Sequence, residues 1–213
     1  GGGAAISGST GDGRNWTALN YSGGNPFTSA SYNNYIRAKR NATSVSTVTD
    51  IPSSGAGGTY ILDSGNVSIS SAPSIPNYVT IIVNGDLTIS TDDLGQDGVV
   101  FIVAGDVRIN GGGTPVKLNG TNRPFAIIST RTITFDDTLT EADGLFVGNA
   151  IDFGSGTTPL KIVGNISSTT ASSFNRDRIS ATAPSMFIVF DPRHFMGIVD
   201  KVSTVKSSWT QLQ

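Results

Sequence analysis

A single histidine, 16 acidic and 14 basic residues supply most of the ionisable chemistry of this 213-residue chain, and cysteine is absent. Disulfides, thiolate nucleophiles and sulfur-ligated zinc are thereby excluded. His194 follows Asp191-Pro192-Arg193 and has Asp200 six residues on, but a Ser-His-Asp triad needs a serine on a strained turn, and no G-x-S-x-G stands in the chain. A transition-metal site would need a second imidazole or a thiolate. The expected place of His194 is therefore at a surface or packed in a cap. Glycoside hydrolysis requires two carboxyl groups about 5 to 9.5 Å apart, and Asp86 and Asp106 occupy equivalent Gly-Asp positions 20 residues apart. The same position elsewhere carries Asn66, Thr132 and Ala150, so acceptance of backbone N–H bonds in a turn is the expected task. A lyase or hydrolase would also need basic residues clustered beside its carboxylates, and Arg108 with Asp106 is the only such pair near these positions; no catalytic set emerges, and the chain is expected not to be an enzyme.

Two loops are acidic: Asp92-Asp93 with Asp97, and Asp136-Asp137 with Glu141 and Asp143. Ca²⁺ takes about six to eight such oxygen ligands. Neither loop follows the EF-hand spacing or the glycine-rich nonapeptide of calcium-binding β-rolls, so solvated carboxylates and no cofactor are expected, with calcium as the alternative. Six Asn-x-Ser/Thr sequons occur, at Asn15, Asn20, Asn41, Asn66, Asn119 and Asn165. Asn66 and Asn165 read as turn residues, which leaves Asn15, Asn20, Asn41 and Asn119 as candidate glycosylation sites. The basic run Arg37-Ala38-Lys39-Arg40 reads as an exposed patch or a subunit contact facing the acidic loops. A net charge of −2 leaves no broad basic face for phosphates, so nucleic acid is not an expected partner.

The elements that must carry these residues are β-rich. Charged residues make up 14% of the chain, against roughly 25% in ordinary domains. Gly, Ser and Thr fill the polar positions instead. Residues 1 to 58 have no sustained periodicity but hold five aromatics, Trp16, Tyr21, Phe27, Tyr32 and Tyr35, which are candidate subunit contacts on an extended N-terminal arm. From Tyr60 six segments superpose: 61–69, 81–89, 101–109, 127–135, 145–153 and, more weakly, 160–167. In each, an apolar pair or triplet leads through a short kink, usually Gly followed by Asp or Asn, into an apolar-polar-apolar alternation. With Val67, Leu87, Val107, Ile133, Ile151 and Ile166 taken as equivalent, the spacings are 20, 20, 26, 18 and 15 residues. This is the signature of a solenoid with variable loops.

One such rung cannot bury its own inward face; stacking rungs about 4.8 Å apart buries a continuous apolar column. The predicted fold is an all-β, single-stranded parallel β-helix over 59–170, with the arm over 1–58 and a short helix or strand cap over 171–213. A β-sandwich is the alternative, with Asn84-Gly85 and Val163-Gly164-Asn165 read as hairpin turns. On the solenoid reading Ser68, Thr88, Arg108, Thr134 and Asp152 form an outward polar stripe, and length varies in the loops 90–98, 110–124, 136–144 and 154–159. Asp191 is expected to cap a helix over 192–201 laid across the open end of the solenoid, with Trp209 packed against it.

The rungs, Asn175-Arg176-Asp177-Arg178, the apolar run Met186 to Phe190 closed by Asp191-Pro192-Arg193, and Val205-Lys206-Ser207-Ser208-Trp209 together resemble a loosely defined family. Its members are exported bacterial β-helix surface proteins of unknown function, and the likeness covers roughly residues 60 to 213. The ending Thr210-Gln211-Leu212-Gln213 departs from it. The resemblance implies extracellular or cell-surface placement and no mechanism. The chain opens Gly1-Gly2-Gly3 without an initiator Met, which fits signal-peptide removal or an artificial trim, and no apolar run approaches the roughly 18 residues of a membrane span. Taken together, the expected function is an extracellular structural protein whose partners are copies of itself in a surface filament or layer. An adhesin or glycan-binding β-helix, with Trp16, Tyr32 or Tyr35 as stacking platforms, is the alternative; a polysaccharide lyase or hydrolase comes third.

Overall fold

The computed structural model describes residues 42–55, 57–119, 123–170, 172–177 and 184–198, and the backbone of two N-terminal strands. These two, β1 (Ser7–Ser9) and β2 (Asn15–Thr17), pair antiparallel. From β3 (Thr43–Val45) onward the chain winds between two parallel sheets, one large and one small. Successive turns place β4 (Thr59–Leu62) in the large sheet and β5 (Val67–Ile69) in the small one, then β6 (Thr80–Val83) and β7 (Leu87–Ile89), then β8 (Val99–Val103) and β9 (Val107–Ile109). A short β10 (Lys117–Leu118) precedes β11 (Phe125–Ser129) and β12 (Thr132–Phe135), and β13 (Glu141–Gly148) is followed by β14 (Ala150–Asp152). Two further strands, β15 (Leu160–Ser168) and β16 (Met186–Val189), extend the large sheet. The chain is a parallel β-solenoid of about six turns. The sandwich alternative fails, because consecutive strands of a turn do not pair with each other and pairing from turn to turn is parallel.

Register follows the repeat through five turns. Val67 pairs with Leu87, Leu87 with Val107, Val107 with Ile133 and Ile133 with Ile151. The sixth segment departs from the predicted alignment. Ile166 lies in β15 opposite Phe146, not above Ile151, and it is Ser173 that bridges to Asp152 in the small sheet. The Gly164-Asn165 pair resembles a kink, yet Gly164 (φ 139°) continues a straight nine-residue strand opposite Gly144 (φ 156°). The expected loop 136–144 is likewise shorter, since β13 begins at Glu141. Strand pairing also crosses the expected domain limits, with β3 inside the arm range and β16 inside the cap range.

The glycine of each kink has two different causes. Gly65 has φ 86° and needs the freedom of glycine, but Gly85 and Gly105 are not in that region. They are required by proximity: a Cβ at Gly85 would stand 2.5 Å from the carbonyl carbon of Gly65, and one at Gly105 2.6 Å from that of Gly85. Stacked turns touch backbone to backbone there.

The two sheets differ in what their outer faces meet. Strands of the small sheet alternate, as in Leu87–Thr88–Ile89, with the outer residue partly or fully exposed. The central strands of the large sheet, β6, β8 and β11, are instead predominantly apolar and buried at every position. The inner core holds Ile81, Leu87, Phe101, Val107, Ile127, Ile133, Phe135 and Phe146. Phe135 stacks on Phe153 at 5.6 Å and meets Phe146 edge-on at 5.1 Å, so later turns are filled by rings where earlier ones use aliphatic chains. A second cluster of Ile82, Val100, Ile102, Ala126, Ile128, Leu145 and Val147 lies on the outer face of the large sheet. It includes Ile198, which follows the helix α1 (Arg193–Met196). That helix is shorter than predicted. It packs on β11, β13 and β15, against the flank of the solenoid and not across its end. Pro192, not Asp191, precedes its first residue. Trp209 and Asp200 lie outside the described residues.

Leu87 is fully buried between Val67 and Val107, whereas Thr88 faces outward. Leu87→Asp is expected to cost several kcal/mol in a denaturant unfolding curve, and Thr88→Asp to change it by no more than about half a kcal/mol.

Candidate functional site on the outer face of the small sheet

The repeats align a polar stripe on the outer face of the small sheet. Ser68, Thr88, Arg108, Thr134 and Asp152 stand one above another, as expected. Beside them runs the column of kink residues. The Oδ1 of Asn66 accepts the backbone N–H of Asp86 at 3.0 Å, that of Asp86 accepts the N–H of Asp106 at 2.8 Å, and that of Asp106 accepts the N–H of Thr132 at 3.0 Å. Each side chain thus takes a donor of the next turn. The expectation of turn acceptors holds, with the difference that the bonds run between turns, where only the folded chain could place them.

Arg108 crosses the face. Its guanidinium donates to Asn110 Oδ1 at 2.9 Å and to Asp136 Oδ2 at 2.8 Å. Burial pushes the Asp136 carboxyl up, but hydrogen bonds from Arg108 and from the backbone and hydroxyl of Thr138 outweigh it and hold the group below the usual carboxylate range. Two open grooves meet at Arg108 and Thr134. The first, of about 410 Å³, is lined by Asp86, Thr88, Asp106 and Thr132. The second, of about 230 Å³, is lined by Asp136, Asp137, Asp152, Ser155 and Asn175. Together they form a hydroxyl- and carboxylate-lined trough along the solenoid axis with one cation at its middle.

The acids of the second groove are also engaged by backbone. Asp137 Oδ1 accepts the N–H of Ser155 at 2.6 Å, and Asp152 Oδ1 that of Gly154 at 3.0 Å. Behind them lies a residue whose role the sequence did not disclose. Arg176 is buried, and its guanidinium donates to the carbonyls of Phe153, Asp136, Asp137, Leu139 and Thr158. Burial lowers its pKa while Asp137, Asp136 and Asp152 oppose that effect. The five acceptors come from two separate loops, over 136–139 and 153–158, so an Arg in a Ser-rich stretch offered no signal beyond its membership of Asn175-Arg176-Asp177-Arg178.

The remaining sequence candidates are dispersed. Asp93 accepts the N–H of Gly95 at 2.7 Å, and Asp97 lies 3.9 Å from the Arg123 guanidinium. Among the described residues no group of three or more His, Asp or Glu is assembled to hold a metal, which leaves the calcium alternative without a ligand set there. Asn119 is buried, with φ 57°, and its Nδ2 donates to the Arg123 carbonyl at 2.9 Å. Its side-chain amide is thus packed and hydrogen-bonded in the folded chain. Asn15 and Trp16 lie in β2, while Asn20, Asn41, Tyr21, Phe27, Tyr32, Tyr35 and the 37–40 basic run lie outside the described residues. His194, the second residue of α1, is completely buried and far in sequence from any carboxylate of the trough.

Compared with protein-family models, with curated proteins and with solved structures, the chain gives no significant match in any of the three.

Asp86→Asn and Asp106→Asn keep the Oδ1 acceptor that Asn66 already supplies in the first turn. They are expected to leave the unfolding free energy within about half a kcal/mol, while the corresponding Ala variants lose about 1 kcal/mol each. Arg176→Met strands five carbonyls and is expected to cost about 3 kcal/mol or more, read from the same denaturant titrations.

Proposed function

We propose that this protein is a self-assembling structural subunit of an extracellular filament or surface layer. The observation that carries the reading is the C-terminal edge of the solenoid. β16 pairs with β15 on one side, and no described strand pairs with its other side. The large apolar residues of that end are open to solvent: Phe187 at 47%, Ile188 at 51%, Val189 at 47% and Phe190 at 72% exposure. Phe174, stacked on Phe153 at 4.7 Å, is exposed as well. Unpaired, flat, apolar edges are ordinarily blunted with charge, proline or a cover, because they template pairing with another chain. Here the edge carries none of the first two within Met186–Phe190.

At the opposite end β3 is the terminal strand of the same parallel sheet and runs in the same direction. A head-to-tail contact between two such different ends is heterologous and leads to rings or open filaments. The sparse charge and hydroxyl-rich composition suit an exported chain, and on this reading the Gly-rich N-terminal residues ahead of β3 reach a neighbouring subunit. A second reading, glycan binding, draws on the trough beside Arg108, whose threonine hydroxyls and carboxylates are groups that bind sugar hydroxyls.

Electron microscopy and light scattering of the full chain are expected to show concentration-dependent polymers. Ile188→Lys and Val189→Lys place charge on the open edge and are expected to leave a folded monomer, and removal of residues 1–30 to weaken assembly. A full chain that stays monomeric, or polymers indifferent to both edge variants, would overturn the reading; binding on a glycan array by such a monomer would favour the second.

A further inference from the structure

Between β16 and the end of the described chain, Asp191 to Ile198 fold back onto the outer face of the large sheet. The attachment is small and well defined. Asn165 Nδ2 donates to the Asp191 carbonyl at 3.4 Å, and the Asp191 carboxylate receives the backbone N–H of Arg193 at 3.0 Å and its Nε at 2.9 Å. Gly197 lies so close to Pro124 that a Cβ on it would stand 2.7 Å away. Ile198 then enters the outer apolar cluster beside Ala126, Ile128, Leu145 and Val147.

At the centre of this contact His194 is 0% exposed, and neither Nδ1 nor Nε2 has a hydrogen-bond partner among the described residues. A neutral imidazole in that position leaves one donor and one acceptor unsatisfied. An imidazolium would leave two donors unsatisfied and add a full charge to an apolar seam. The seam therefore accepts only the neutral ring.

We propose that His194 is a proton-operated latch: protonation at mildly acidic pH releases α1 and Ile198 from the sheet and uncovers the apolar face formed by Ala126, Ile128, Leu145 and Val147.

Charged groups stand near the ring on several elements. Its own segment supplies Asp191 and Arg193, β13 supplies Asp143, and β11 supplies no titratable side chain. Glu141 and Lys161, at the starts of β13 and β15, pair with each other at 3.3 Å. Burial, the largest effect, pushes His194 below the usual imidazole range; Asp191 opposes this and Arg193 adds to it. Arg193 holds Asp191 ionised, its pKa lowered to about 2, so it does not titrate alongside the histidine. For a histidine lowered on docking, the released state binds more protons. Docking is then at full strength above about pH 6.5 and weakens about tenfold per pH unit below it, until the docked ring also protonates.

His194 is the only histidine of the chain, so its ring resonances report on the latch without any substitution. In the full chain, NMR titration from pH 8 to 5 is expected to place its midpoint below 6.5. Hydrogen exchange of the 193–198 amides, corrected for intrinsic rates, should accelerate about tenfold per unit over the same range, with the strand amides of β8 and β11 unchanged. His194→Phe should remove the acceleration. A midpoint at or above 6.5, exchange that does not change through the midpoint, or an equal acceleration in His194→Phe would each overturn the proposal. The first two readouts come from the unaltered protein and decide it even if the variant does not fold.

Discussion

Everything in this fold rests on the contact between one turn and the next. A single turn has two short strands with unpaired backbone on both edges and an apolar face looking into an empty centre. Both deficits are removed at once when another turn stacks on it in register. The side-chain and glycine patterns follow from that constraint. Val67, Leu87, Val107, Ile133 and Ile151 fill one column because parallel pairing puts equivalent residues directly over each other. Gly85 and Gly105 are small because the kink of the previous turn already occupies the space a side chain would need.

The same constraint governs how charge is used. At the corners, where the chain leaves one sheet for the other, backbone groups lose their ladder partners. Asn66, Asp86 and Asp106 replace them along one corner, and Asn77 does so at another by accepting the N–H of Asp97 at 3.0 Å. Arg176 performs the complementary task, gathering five carbonyls that irregular loops leave unpaired. The trough around Arg108 is thus a surface of fixed polar groups, lined by acids that hold backbone N–H groups of the same or the next turn.

A solenoid of this kind is finite only if something stops it. The flank of the large sheet is met over β11, β13 and β15 by α1 and Ile198, whereas the outer face of the small sheet carries the polar residues of its alternating strands. The C-terminal edge has no such cover among the described residues, and the interior continues to its surface through Phe153 and Phe174. The proposed assembly and the proposed latch concern these two different surfaces. Growth of a polymer would extend the sheet edge, whereas release of the helix would open its flank.

Much of the architecture was legible in the residues. Gly-Asp kinks followed by apolar-polar-apolar triplets recur because every turn solves the same packing problem with the same local chemistry, so the period, the inward column and the polar stripe could be read directly. The sixth turn could not, because Val163-Gly164-Asn165 has the composition of a kink and the conformation of a strand; only the pairing of Gly164 with Gly144 distinguishes them. The trough was half visible: Asp86, Asp106 and Arg108 stood out as equivalent positions, but their bonds run between residues 20 to 28 apart. The tasks of Arg176 and His194 were not visible at all. Each is set by groups brought from distant turns, the five carbonyls around one and the apolar flank beneath the other. Local sequence specifies repeating solutions; a residue that closes an end or a flank acquires its meaning only from the surfaces the finished fold leaves unsatisfied.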